Sequence, residues 1–228
     1  MADLRRPIHR TVELPKDPIY RVAKNSASVA GSRIRAEDIE SQAGNRFDLT
    51  NEGVVYCATH RQGSFAEVLK NLRRAPSLRI SIDPMVDPGF MLEGGIPTDW
   101  RATRSIFSVV CDEPLPFLDI EDPETLAFLD AEMAVELGEL GILIPLDIPA
   151  IRGPDRRLTR AISSWTASQR DVDGNFLYGG IRYVSRLGGW ECWAIFEESD
   201  IHLTERMDIQ RNDPDLLSIA SLFQLTIH

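Results

Sequence analysis

The run Gly53-Val54-Val55-Tyr56-Cys57-Ala58-Thr59 is mostly apolar and shows no alternation. A strand with one wet face would alternate with period two, so this one is predicted to be covered on both faces. Two later stretches, Gly180 to Tyr183 and Trp193 to Phe196, read as further strands around a Gly188-Gly189 loop. Ile19 to Ala23, Leu78 to Asp83 (cleanly alternating) and Ser105 to Cys111 supply others, and Ile201 to Thr204 reads as an edge strand.

Helices are expected between them. Ser64 and Glu67 have capping-box spacing, with Phe65, Val68, Leu69 and Leu72 on one face and a stop before Pro76. Asp122-Pro123-Glu124 starts a second helix, reaching about Leu137. Pro154 to about Arg170 is a third. Strands and helices mix without a strict βαβ rhythm. This predicts an α+β fold, one domain with mostly antiparallel sheets and flanking helices. Residues 1–18, marked by Pro7, Pro15 and Pro18, read as an arm, and 19–228 as the domain. Residues 24–46 read as loop, and 84–150 carry no recognisable motif. The hydrophobic tail Ile219 to Ile227 is read as added core, with partner docking or homo-oligomer contact as the alternative.

A length of 228 residues with 43% hydrophobic content suffices for one sizeable core. The net charge of −10 argues against a general nucleic-acid binder, which needs a basic stripe, but leaves room for a local basic pocket. Met1 to Pro7 is followed by no apolar stretch, so no signal peptide is expected, and no run approaches the roughly 20 apolar residues of a membrane span. Cys57, Cys111 and Cys192 are odd in number and lie in apolar surroundings; buried thiols in a reducing cytoplasm are the expectation. His9, His60, His202 and His228 show no metal-ligand spacing, and no metal is expected. Walker, dinucleotide-glycine and serine-elbow motifs are absent.

Four residues in distinctive frames stand out: Arg46 in Gly44-Asn45-Arg46-Phe47, Tyr56, Glu67 in Phe65-Ala66-Glu67-Val68, and Ser185 in Gly180-Ile181-Arg182-Tyr183-Val184-Ser185-Arg186. Singly, each has an ordinary structural reading: a turn arginine, a core tyrosine, a helix-capping acid and a strand-end serine. His60 reads as a solvated loop residue and Trp165 as core. Jointly, with the Tyr20-Arg21-Val22-Ala23 opening and the block Arg157-Leu158-Thr159-Arg160-Ala161-Ile162, they resemble the RES family.

That resemblance implies a fold related to ADP-ribosyltransferases and consumption of NAD+ as substrate, with inorganic phosphate as a candidate co-substrate. It implies a toxin role and a small helical Xre-type antitoxin as partner. It also implies that Arg46, Tyr56, Glu67 and Ser185 line the NAD+ pocket. In such a pocket Glu67 would stabilise oxocarbenium charge on the ribose. Arg46 would hold pyrophosphate or attacking phosphate, Tyr56 would stack on nicotinamide, and Ser185 would donate to a phosphate or ribose oxygen. Arg182 or Arg186 would assist. NAD+ phosphorolysis or hydrolysis is therefore the expected reaction. ADP-ribosyl transfer to a protein or nucleotide is a second reading, and a non-catalytic nucleotide- or partner-binding module a third.

Overall fold

A computed structural model describes residues 9–26, 30–73 and 94–228. The double-sided strand is real: β3 (Val54–Ala58) buries Val54, Val55, Cys57 and Ala58. It pairs antiparallel with β8 (Glu191–Phe196), which pairs antiparallel with β7 (Gly180–Val184). On β3 and β8, alternate residues enter different cores. Val54, Ala58, Cys192, Ala194 and Phe196 join one cluster, while Val55, Cys57, Trp193 and Ile195 join another. That two-sided burial is why these strands carry no polar alternation.

Among the described residues the sheet has eight strands. From one edge these are β1 (Thr11–Val12), β6 (Phe117–Asp119), β7, β8, β3, β2 (Ile19–Lys24), β5 (Arg104–Cys111) and β9 (Ile201–Asp208). Only the β6–β7 pairing is parallel in it. A small parallel pair joins β4 (Gly95–Ile96) to β10 (Thr226–Ile227). With seven α-helices among the described residues this is one α+β domain, as the patterning predicts. The proline-marked start read as an arm contributes Thr11 and Val12 to the sheet edge. The edge strand expected at Ile201 runs on to Asp208. The strand expected at Leu78 to Asp83 lies outside the described residues.

Helix α1 (Arg61–Leu69) starts a turn before Ser64, with His60 at its N-cap and no side-chain cap bond. Ser64 Oγ instead donates to the Arg61 carbonyl. Ser64 and Glu67 therefore form no capping box, and Glu67 is free for another partner. The next five helices are α2 (Thr98–Ala102), α3 (Pro123–Glu132), α4 (Ala134–Glu139), α5 (Ile148–Arg152) and α6 (Arg156–Ser168). The last, α7 (Pro214–Phe223), supplies most of the hydrophobic tail, and its Leu216, Ile219, Ala220 and Phe223 are buried. The tail is thus core. Asp122, Asp147, Asp155 and Asp213 cap α3, α5, α6 and α7 by accepting backbone N–H bonds. Asp213 also pairs with Arg61, tying the starts of α1 and α7 together.

Helix α1 lies close on β3. A Cβ at Gly63 would sit 2.9 Å from the Cβ atoms of both Ala58 and Trp190, so only glycine fits there. Among the described residues no helix is long and apolar enough to cross a membrane.

Cys57 and Cys192 are buried, and Cys111 is half-buried. Burial raises all three thiols, Cys57 to about 12. A raised thiol favours the folded state below the unfolded thiol pKa. That advantage fades as pH rises through about 8.5 and upward, where unfolded thiols ionise first. We expect Ellman's reagent at pH 8 to label Cys111 alone in the native protein and all three thiols in denaturant. Rapid native labelling of Cys57 or Cys192 would contradict the burial.

Candidate active site

Strands β2 and β3 are paired only at Tyr20 and Ala58, then part company. A cleft of about 790 Å³ opens beside this split, lined by both strands, α1, Trp100 of α2 and the segment after β7. Three of the singled-out residues, Arg46, Tyr56 and Glu67, line it together, as does Arg186.

Arg46 reaches the cleft because α6 pins the segment that carries it. Thr159 Oγ1 donates to the Arg46 carbonyl at 2.6 Å, and Ser163 Oγ to the Phe47 carbonyl at 2.9 Å. Between them on the helix, the fully buried Arg160 donates to five carbonyls: Asp38, Ile39, Ser41, Ala43 and Asn45. This accounts for most of the Arg157–Ile162 block: Thr159 and Arg160 hold the loop, Leu158 and Ile162 enter the core, and Arg157 pairs with Asp155 at the helix start. Gly44 turns the loop at φ +64°, where an added Cβ would meet Asp48 Oδ2 at 2.7 Å. The Arg46 guanidinium itself donates to the Ile151 carbonyl and lies 5.8 Å from the Tyr183 ring centre. Burial holds its pKa below the usual arginine value. Its Nε is buried with no hydrogen-bond partner among the described residues.

Tyr56 is fixed by its hydroxyl, which donates to Asp48 Oδ1 at 2.9 Å and accepts from the Phe47 N–H at 3.1 Å. Asp48 is fully buried and also takes bonds from Ser32 and Asn45. Burial first, and then the Asp48 charge, push the phenol far above its ordinary pKa, so it stays protonated.

Glu67 projects from α1 into the cleft with both oxygens engaged. Oε1 accepts from Ser185 Oγ at 2.7 Å, and Oε2 from Lys70 Nζ at 2.8 Å. Ser185 is 2% exposed and sits behind the carboxylate. Its hydroxyl therefore aims Glu67, where the sequence expectation had it contact a phosphate or ribose oxygen. Arg182, expected to assist, is not among the residues lining the cleft. Its guanidinium is held by Asp119 at 3.1 Å and Glu191 at 2.9 Å, away from the cleft. The cause is strand alternation: Ile181 and Tyr183 face one way on β7, and Arg182 faces the other.

The electrostatics were not legible in the sequence. Among the described residues, seven Lys or Arg side chains line the cleft against one carboxylate, Glu67. In a chain of net charge −10 this is a concentrated anion site. Besides Arg46 and Arg186 it includes Arg21 from β2, Arg104 from β5 and Arg156 from α6. Arg21 donates to the Ala30 carbonyl at 3.1 Å, while its buried Nη1 has no partner among the described residues. Arg21 was visible only as part of the aromatic-Arg opening. The others had no local signal. Trp165 is core, packed edge-on against Phe128.

Such a cleft suits a polyanion with flat rings, held beside one oriented carboxylate. The family model described as RES domain matches residues 18–215 of the chain. No curated protein matches it.

Proposed function

Because the chain belongs to the RES domain family, an NAD-related module, we propose that it cleaves the nicotinamide–ribose bond of NAD+. The observation that carries this reading is Glu67, aimed by Ser185 and the one carboxylate among the described residues of a cleft lined by seven cations and three aromatic rings. The glycosidic C–N bond breaks and its electron pair moves to the ring nitrogen, which neutralises the pyridinium and releases nicotinamide. Positive charge grows on the ribose, and the Glu67 carboxylate offsets it. The Tyr56 and Tyr183 rings flank the nicotinamide end, with Tyr56 held rigid by Asp48. Arg46, with its uncommitted Nε–H, takes the pyrophosphate or the attacking phosphate. A phosphate oxygen bonding to the anomeric carbon gives ADP-ribose-1″-phosphate; water gives ADP-ribose and a proton.

Lys70 bridges to Glu67 on the cleft wall, so substrate hydroxyls must share or replace that contact. The reading extends to a toxin neutralised by a helical antitoxin that covers the cleft.

The test is purified protein with NAD+, with and without phosphate, followed by nicotinamide release. Release under either condition supports cleavage, and the product assigns the acceptor. No release at high protein concentration under both conditions removes the proposal. Labelled macromolecules from radiolabelled NAD+ in cell extract would move the assignment to ADP-ribosyl transfer. For the toxin role, expression is expected to arrest growth, with relief by a co-expressed antitoxin. Unimpaired growth with active protein would count against it.

A further inference from the structure

Aromatic side chains line the cleft from two separate cores. Tyr56 and Tyr183 stand at one end, against the core cluster around Phe47 and Ile162. At the other end Trp100, from α2, lines the cleft half-buried against a different cluster built on Val22, Leu69 and Phe223. Arg104 lies under or over it, its guanidinium carbon 4.8 Å from a ring centroid of Trp100. Arg73 marks the same end, 4.7 Å from the Phe223 ring. Arg21 lies on β2, between β3 and β5, and Lys70 lines the cleft from the α1 side, bonded to Glu67.

Strand order gives the scale. From β7, which carries Tyr183, to β5, which carries Arg104, there are four inter-strand steps. At about 4.8 Å a step this is about 19 Å measured along the sheet from Tyr183, and about 10 Å from Tyr56 on β3, which is two steps from β5. Aromatic rings at two ends of a cleft lined throughout by cations match base, pyrophosphate and base in an extended dinucleotide.

We propose that Trp100, braced by Arg104, is the stacking platform for the adenine end of the substrate, and that α2 exists in this chain to carry it. This rests on the NAD+ reading above. Indole is the largest stacking surface available to a protein, and base stacking on it tolerates any base edge. The segment 84–150, which showed no motif in sequence, thereby acquires a role in specificity at residues 98–104.

The experiment compares NAD+ with nicotinamide mononucleotide, which keeps the scissile bond and lacks adenosine. In Trp100→Leu, which retains an apolar group to hold α2, the KM for NAD+ should rise about tenfold or more. Its kcat/KM for the mononucleotide should stay within twofold of wild type. Trp100→Tyr, which retains a ring, should restore most of the NAD+ affinity. Equal losses on both substrates, or no loss on either, would overturn the proposal. A second arm needs no turnover: AMP should quench the intrinsic fluorescence of wild type and lose that effect in Trp100→Leu. If wild type releases no nicotinamide yet AMP quenches through Trp100, the cleavage reading fails and the base platform stands. If AMP quenches both proteins alike, the platform fails whatever the reaction.

Discussion

Glu67→Gln is expected to abolish most nicotinamide release, with kcat down about 10²–10³-fold, the range set by removing one group aimed at developing charge. The substitution keeps the shape and leaves a carbonyl to accept from Ser185, so it removes charge rather than position. Stability should barely change. The ion pair lost is the half-exposed one with Lys70, and such pairs contribute about 0–1 kcal/mol. A thermal melt alongside the kinetics separates the two effects. Near-native turnover in a folded Glu67→Gln protein would show that the charge on the ribose is met by some other group.

Arg160→Met should give the largest loss of stability of any single change in the site's support. One buried guanidinium satisfies five carbonyls of the 38–45 loop. Methionine fills part of the volume and satisfies none of them. An unpaired acceptor costs about 1–3 kcal/mol when fully buried; these lie on a half-exposed loop that can turn toward water, so the costs do not add. A net loss of about 3–5 kcal/mol is expected, a fall in Tm of roughly 10 °C for a domain of this size. Arg160→Lys should rescue little, since an ammonium offers three donors at one point where a planar fork reaches several directions. Turnover should fall in both variants with KM rising, because the freed loop carries Arg46. A melt within a degree or two of wild type would mean the loop is held by other contacts, such as those from Arg156 to the Gln42, Ala43 and Gly44 carbonyls.

The strand pattern was readable because burial on both faces leaves a local mark. Val54 to Ala58 and Cys192 to Phe196 have no wet side and therefore no polar alternation. Asp-Pro helix starts were readable for the same reason, since cap and first turn are neighbours in the chain. The start of α1 was misplaced by a turn because its N-cap, His60, makes no side-chain cap bond and leaves no cap signature. Arg46, Tyr56 and Glu67 were found through their frames, and they do share one cleft.

Local sequence thus determined which segments become strand, helix and core, because hydrophobic periodicity and capping act over a few residues. Only the tertiary structure decided the character of the cleft. Arg21, Lys70, Arg104, Arg156 and Trp100 come from five separate elements, and apart from Arg21 in its aromatic-Arg opening none stands in a distinctive local frame. Chain folding alone sets their separations, and Coulomb and stacking energies depend on those separations. It also turned Ser185 behind Glu67 and Arg182 away from the cleft, since a strand directs neighbouring side chains to opposite faces.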